Sequence, residues 1–162
     1  MGGVSIAVEV RDQALRKWLA AAPRDWRRNA APAIGLVLVR GTHQRFRSER
    51  DPDGNAWARL NPEYARTKKG PGILRETSML MRSITYKATS DAVHVGTNRI
   101  YARVHQLGAT IRPKNKSKLT FKMGSRWVMV DQVQIKARPY LGVSRADDQA
   151  IRDVIEALIR PH

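Results

Sequence analysis

The N-terminal part of the chain carries a strand pattern followed by helical patterns. Residues Val4–Val10, "VSIAVEV", alternate apolar and polar side chains with β-branched character, which predicts a strand. Asp12 can cap a first helix, which Pro23 ends. A longer second helix is predicted to reach Phe46, and Pro32 marks either a kink in it or its first turn. The apolar stripe of this second helix comprises Trp26, Ala30, Ile34, Val37, Leu38 and Gly41.

Proline and glycine divide the middle of the chain into short elements. An irregular connection spans residues 49–72, within which Asn61-Pro62 can start a short helix. Thr77 can cap a helical turn, and two strands joined near Ser90-Asp91 follow it. The stretch "YARVHQLG" predicts a short helix or turn that ends at Gly108.

The C-terminal third predicts an extended arm or hairpin and then a helix. Residues 109–130 form the arm, and its loop is predicted at the cationic stretch "PKNKSK". Ser144 caps the final helix, which is preceded by the acidic pair Asp147-Asp148 in a position that suits a helix dipole. The apolar stripe of this helix comprises Ile151, Ile155, Leu158 and Ile159.

Together these elements predict an α+β fold in a single domain over residues 1–162. Its expected parts are a strand and helices within residues 1–48, a small, mostly antiparallel sheet, a basic arm within residues 109–130 and a C-terminal helix. The composition agrees, because 42% of the 162 residues are hydrophobic. No apolar window is long enough to span a bilayer, and the N-terminus lacks a secretory pattern. The absence of cysteine excludes disulfides and thiolate catalysis, which fits assembly in a cytoplasm.

The distribution of charge points to an anionic partner. Thirty Lys and Arg residues against fourteen Asp and Glu give a formal charge of +16. From Arg99 to Arg138 ten basic residues face one acidic residue, Asp131, which is a local charge of +9. Such a surface attracts phosphates, acidic membranes or an acidic protein face. The predicted contact residues of the basic arm are Arg112, Lys114, Lys116, Lys118, Lys122 and Arg126.

The stretch "DPDGNAWARL" looks like the start of a calcium loop but predicts a turn. Counted from Asp51, position 12 of an EF-hand loop would be Pro62, which cannot supply the required carboxylate. Asp-Pro-Asp-Gly is instead preferred in tight turns, because proline fixes φ and glycine accepts a positive φ. No metal site is therefore predicted. The predicted turn and anchor residues are Asp51, Pro52, Asp53, Gly54, Trp57 and Leu60.

Catalytic and cofactor signatures are not found in the sequence. His105 is the best candidate for a general base, but a lone histidine on a helix is more often packed or hydrogen-bonded. The serines lack a nucleophile elbow, and "KKGPG" misses the phosphate-loop pattern. We therefore predict neither an enzyme nor a cofactor. Trp127 and Phe121 interleave with the cations, so a non-specific DNA-binding protein remains an alternative.

Four blocks, in order, carry a family resemblance: "SERDPDGNAWARLNPEY", "KKGPGILRETSMLMRSI", "VGTNRIYARVHQLGATI" and "KARPYLGVS". This succession, from Phe46 to the C-terminus, resembles the phage virion morphogenesis family, the tail-completion proteins of Mu-like and related tailed phages. One departure is Thr77-Ser78, where relatives often have Thr-Gly.

The resemblance implies a structural virion protein that joins the finished tail to the DNA-filled head. It implies a homo-oligomeric ring in the neck, hexameric to match tail symmetry. The implied partners are the head–tail connector, the tail terminator or tube proteins, and genomic DNA that passes non-specifically through the lumen. No membrane partner is implied. The basic arm is expected to become ordered on a neighbouring subunit or on an acidic ring.

Overall fold

The protein combines helices with small antiparallel ladders of strands, which confirms the predicted α+β class. The computed structural model describes residues 4–8, 24–89, 92–115 and 117–159. Within these ranges the helices are α1 (Arg24–Ser48), α2 (Pro62–Thr67), α3 (Met79–Arg82), α4 (Ala102–Leu107) and α5 (Arg145–Ile159). The strands are β1 (Val4–Val8), β2 (Thr85–Ala88), β3 (Val93–Thr97), β4 (Ala109–Ile111), β5 (Leu119–Met123), β6 (Arg126–Val130) and β7 (Val133–Ile135). The predicted first helix, from Asp12 to Pro23, lies outside the described residues.

Helix α1 is the longest element and organises the core. It continues through Pro32, so this proline is not its first turn, and it reaches past Phe46 as predicted. Its buried face faces both the sheet and the C-terminal helix α5. Leu38 and Phe46 are almost completely buried there, but the same face also carries a buried arginine, Arg45. None of the described helices is both long enough and apolar enough to cross a membrane.

A three-stranded antiparallel sheet packs against α1. Its strand order is β1-β3-β2, so the central strand β3 is paired on both sides. In register, Val95 of β3 lies between Ile6 of β1 and Tyr86 of β2. Val95 is fully buried, and the ring of Tyr86 lies against Gly35 of α1. The two predicted strands around Ser90-Asp91 are therefore confirmed as an antiparallel pair, although those two residues lie outside the described ranges.

Caps of the short helices follow the sequence in two cases and differ in one. The Asn61 side chain accepts hydrogen bonds at the start of α2, and Ser144 Oγ accepts one from the Asp147 amide at the start of α5. At α3, Ser78 occupies the N-cap position without a side-chain capping bond, and the predicted cap Thr77, one residue earlier, accepts a hydrogen bond from the Met79 amide at 3.4 Å. Asp147 lies inside the first turn of α5 rather than before the helix.

Residues 109–135 form one long hairpin that is interrupted partway along. Strand β4 pairs with β7 near the body, and β5 pairs with β6 farther out. The tip is Gly124-Ser125, so the prediction that "PKNKSK" forms the hairpin loop is wrong. Gly124 accepts a φ of 65°, which suits a two-residue hairpin turn, whereas Pro113 begins the cationic stretch without an amide donor. That stretch instead lies in the connection from β4 to β5.

Candidate functional site

The segment Arg138–Gly142, called the anchor segment below, contacts both helix α1 and the connection that follows α1 in the sequence. Tyr140 is fully buried, and its ring centroid lies 5.1 Å from that of Phe46. The Phe46 ring also packs edge-on against Trp57, at a centroid distance of 5.6 Å. Trp57 Nε1 donates a hydrogen bond to the Pro139 carbonyl at 2.8 Å. Three aromatic rings thus bring the first and last of the four sequence blocks together.

Arg45 fastens the anchor segment from the helix side. Its Nε donates to the Tyr140 carbonyl at 2.8 Å, and one terminal nitrogen donates to the Gly142 carbonyl at 2.9 Å. The other terminal nitrogen lies 2.6 Å from the carboxylate of Asp147. Ser144 donates to the same carboxylate oxygen through its amide and its hydroxyl. Sequence reasoning missed this pair, although a cation on the apolar stripe of α1 was the available signal.

Helix α4 fastens the anchor segment from the opposite side. The Gln106 side-chain oxygen accepts hydrogen bonds from the amides of Tyr140 and Leu141, both at 3.0 Å. The Tyr140 hydroxyl donates to the Ala102 carbonyl at 3.0 Å, and burial raises the pKa of this hydroxyl. The block "YARVHQLG" is therefore also held against "RPYLGVS". No local pattern in the sequence predicts that the Gln106 side chain accepts hydrogen bonds from these two backbone amides.

The Asp51–Asn55 stretch forms a self-contained turn. The Gly54 amide donates to the Asp51 carbonyl at 3.1 Å, and the Asn55 amide donates to the Asp51 carboxylate at 2.8 Å. Gly54 has a φ of 89°, which a glycine adopts without strain, and Asp53 is exposed beside it. The Asp51 carboxylate thus binds its own turn. The described residues contain no cluster of three or more side chains suited to hold a metal ion.

The remaining predicted anchor residues face the body of the protein. Pro52 packs against Gly142 so closely that a Cβ at Gly142 would lie 2.3 Å from the proline ring. Trp57 is buried, and Leu60 is partly buried against the core cluster. The structure therefore places the turn, Trp57 and Leu60 along one connection that contacts the anchor segment.

The predicted basic residues lie along one hairpin but do not form one cluster. Arg112 donates to the Gln132 side chain at 3.2 Å, and Lys118 lies 3.6 Å from Asp131, both across the interruption of the hairpin. Arg126 pairs with Glu63 of α2 near the tip. Lys114 and Lys122 are exposed, and Lys116 lies outside the described residues. The cations therefore form a stripe along the hairpin.

The outer part of the hairpin carries large apolar side chains on both faces. Phe121 pairs with Val128 on the half-buried face, which points toward the body and is called the inner face below. On the opposite, outer face, Trp127 and Met129 are 71% and 67% exposed. The sequence pattern alone indicated Trp127 only as an aromatic residue among the cations that could stack on nucleic-acid bases. The alternation of side chains along the strand "RWVMV" was the signal that Trp127 and Met129 lie on one face and Val128 on the other.

His105 and Arg138 lie next to each other beneath the inner face. Arg138 is 8% exposed and donates to the carbonyls of Ala58 at 2.8 Å and Arg59 at 3.2 Å. Burial lowers the pKa of its guanidinium. Burial also lowers the pKa of His105, and the positive charge of Arg138 adds to this effect. His105 Nδ1 is buried without a hydrogen-bond partner, so this side chain is a neutral, packed group at neutral pH.

These contacts define a class by fold: a compactly anchored α+β protein with an exposed cationic hairpin. A family model with the description phage virion morphogenesis family matches residues 10–160. The chain belongs to this family, as its sequence blocks indicated, and so has a structural or assembly role in a phage virion. Over 162 residues it is 28% identical to "Putative capsid assembly protein G" of Escherichia phage Mu, covering 94% of this chain and 91% of that protein. No solved structure matches the chain.

Proposed function

We propose that this protein is a ring subunit of the neck of a tailed phage, where it completes the tail and joins it to the DNA-filled head. Family membership over residues 10–160 supports a role in virion assembly. The name of the Mu relative refers to capsid assembly, and a neck protein acts where capsid and tail meet. The partners in this proposal are further copies of the chain, the head–tail connector and the tail terminator or tube proteins.

The exposed outer face of the hairpin is the observation that carries the proposal. A two-stranded ladder is at best marginally stable alone in water, and this one exposes Trp127 and Met129 to solvent. Exposed aromatic and methionine side chains are enriched at protein interfaces. The outer face therefore suits a contact with the next subunit. We infer a head-to-tail contact, in which the outer face of one subunit meets a different surface of the next, because contacts of this type can close a ring; the hexamer is what the family resemblance implies.

The cations of the hairpin suit acidic protein partners better than a DNA conduit. Each phosphate that a cation neutralises contributes about 0.9 to the salt dependence of log K, so a densely cationic lumen would hold the duplex tightly. DNA must slide through a neck during ejection. We therefore orient the basic stripe mainly toward the neighbouring rings. The residues in this orientation are Arg112, Lys114, Lys116, Lys118, Lys122 and Arg126.

Electron microscopy of a lysate tests the neck role directly. A phage that encodes this chain is given an early stop codon in its gene, and the particles are counted by type. Full heads beside separate, normal-length tails are expected, and complementation with the intact gene should restore virions. Tails of aberrant length would move the role to tail termination. Infectious virions without the protein would overturn the proposal.

The ring contact is tested on purified protein. The Trp127→Ser, Met129→Ser double variant should remain folded, because both side chains are exposed, but should sediment as a smaller species than the unaltered protein. Ile100→Ser is a matched control, since Ile100 is 77% exposed and belongs to no strand of the hairpin. An unchanged oligomer in the double variant would contradict the proposed contact. Tight duplex binding by the free subunit, with steep salt dependence, would favour the non-specific DNA-binding alternative.

A further inference from the structure

A deep groove separates the inner face of the hairpin from the body. Its volume is about 1130 Å³, above the roughly 300–1,000 Å³ range of small-molecule sites. One wall is the inner face of the hairpin, including Phe121 and Val128, and the other includes Leu60, Leu74 and Tyr101. Trp127 and Met129, on the outer face, do not line it. The size and the apolar walls fit a segment of polypeptide better than a metabolite.

Arg138 supplies a buried cation to the lining of this groove. Its guanidinium is held by two backbone carbonyls, and in the described part of the chain no carboxylate pairs with it. The contrast with Arg45 is direct, because that buried arginine has a carboxylate, Asp147, at 2.6 Å. A buried charge without a counter-ion is costly, and a carboxylate from outside would offset part of that cost.

The other charges around the groove add to its positive potential. Arg59 and Lys136 are exposed residues that line it. Glu76 is the single acidic residue among those described in the lining, and Lys68 pairs with it at 2.9 Å. The hydrogen bond from Lys68 lowers the pKa of Glu76, so this pair stays internally neutralised. An occupant that carries negative charge is therefore favoured over a neutral or cationic one.

We propose that this groove binds an extended segment of a partner protein in which a carboxylate is flanked by apolar residues. The carboxylate pairs with Arg138, and the apolar flanks cover Phe121 and Val128 of the inner face. A second copy of this chain fits poorly, because its own cationic hairpin would enter a cationic groove. That the partner is another virion protein rests on the proposed neck function. The binding chemistry itself does not.

Adjacent residues on opposite faces of β6 provide a matched pair for the experiment. A photo-crosslinking amino acid is placed at Val128, on the inner face, or at Met129, on the outer face, and assembled particles are irradiated. Position 128 should capture a segment that contains Asp or Glu between apolar residues, from a protein other than this chain. Capture of a second copy of this chain or of DNA at position 128 would overturn the proposal. A crosslinking yield at position 128 no higher than at position 129 would also overturn it.

A synthetic peptide with the captured sequence then tests the chemistry on the purified protein. Val128→Glu should weaken binding by at least about tenfold, whereas Thr120→Glu, on the outer face and outside the groove lining, should leave it within about twofold. Replacing the acidic residue of the peptide by its amide should also weaken binding by about tenfold. Arg138→Gln should behave like Val128→Glu, and the Val128 variant decides the outcome if loss of Arg138 unfolds the protein. Equal affinities for the Val128→Glu and Thr120→Glu variants would refute the groove.

The two proposals fail in different ways. A captured segment that belongs to a host protein, with a peptide that still discriminates Val128→Glu from Thr120→Glu, would keep the groove but remove the neck assignment. Separate heads and tails in the stop-codon lysate, together with no capture at position 128, would keep the neck assignment and remove the groove.

Discussion

Arg45 and Asp147 form a buried ion pair between helices that are far apart in the chain. They are 102 positions apart, the nitrogen–oxygen distance is 2.6 Å, and each side chain is 6% exposed. The carboxylate also receives both donors of Ser144, so its negative charge is surrounded by hydrogen bonds. The pair therefore fixes the start of α5 against the last turn of α1.

Removal of one partner of this pair should be strongly destabilising. Arg45→Met leaves the Asp147 carboxylate buried without its cation, and a free-energy loss of about 3–5 kcal/mol is expected. Urea unfolding of the purified variant measures it. The control is Arg152→Met, whose pair with Asp148 has exposed partners and should change stability by less than about 1 kcal/mol. Equal effects in the two variants would show that the buried pair has no special role.

Gly142→Ala should destabilise the contact between the turn and the anchor segment. The new Cβ would lie 2.3 Å from the Pro52 ring, and the φ of 157° also disfavours a side chain. Overpacking of this kind costs about 1–3 kcal/mol, which thermal unfolding can measure. Adding Pro52→Ala should recover part of the loss, because it removes the ring Cγ, the atom nearest to the new Cβ, although the Cβ of residue 52 stays. A double variant no better than Gly142→Ala would assign the cost to the backbone alone.

Ser78→Gly should stabilise the protein. Ser78 adopts a left-handed conformation with a φ of 55°, which glycine adopts without strain. The left-handed conformation costs a residue with a side chain about 1–2 kcal/mol, partly offset by the greater freedom of glycine when unfolded, so a gain of up to about 1 kcal/mol is expected. Ser48→Gly, at the end of α1, should instead lower the melting temperature. A destabilised Ser78→Gly would show that the hydroxyl is needed.

His105 should make stability fall in mildly acidic solution. Burial and Arg138 lower its pKa in the folded state from the ordinary value of 6.5. The unfolded chain therefore binds more protons than the folded protein below pH 6.5. The contribution of His105 to the free energy of unfolding is therefore fully present above pH 6.5, and it is lost as the pH falls toward the folded-state pKa. His105→Gln should flatten urea-unfolding stability between about pH 7.5 and 5.5, and a slope equal to that of the unaltered protein would exclude His105 as its source.

Deletion of residues 113–117 should separate folding from head joining. Arg112 already contacts Gln132, and Lys118 lies near Asp131. After the deletion, Arg112 and Lys118 are adjacent in the chain and lie opposite Gln132 and Asp131. The two strands can therefore pair continuously along the hairpin. The ring should form, but joining of heads to tails in a complementation assay should fall. A Lys114→Ser, Lys118→Ser variant of full length tests the charge alone. Normal plaque counts with the deletion would show that the cationic connection has no role in joining.

Local elements were predictable from the sequence because their signals are local. The extent of α1 to Phe46, the Asn61 cap and the strand pair around residues 90–91 follow from periodicity and turn residues. The hairpin tip at Gly124-Ser125 also had a local signal, a glycine suited to a tight turn. The loop was predicted at "PKNKSK" instead, because a dense run of charged residues is typical of an exposed loop, and this prediction was wrong.

Contacts between distant segments were not predictable in the same way. Arg45 and Asp147 each look like surface charges in the sequence, and only the packing of α1 against α5 buries them together. The groove beside Arg138 likewise depends on the distance between the hairpin and the body. Such features arise from pairings over more than 70 positions, for which a single sequence has no periodic signal.

The position of the anchor segment also sets an order of events during synthesis. Trp57 and Arg45 leave the ribosome early, but the Pro139 and Tyr140 carbonyls that they bind follow only after the hairpin. At about 5–20 residues per second, several seconds pass in which α1 is without these partners. A nascent chain that ends before Arg138 therefore exposes Phe46 and Trp57, and the cationic hairpin is made before the core that supports it can close.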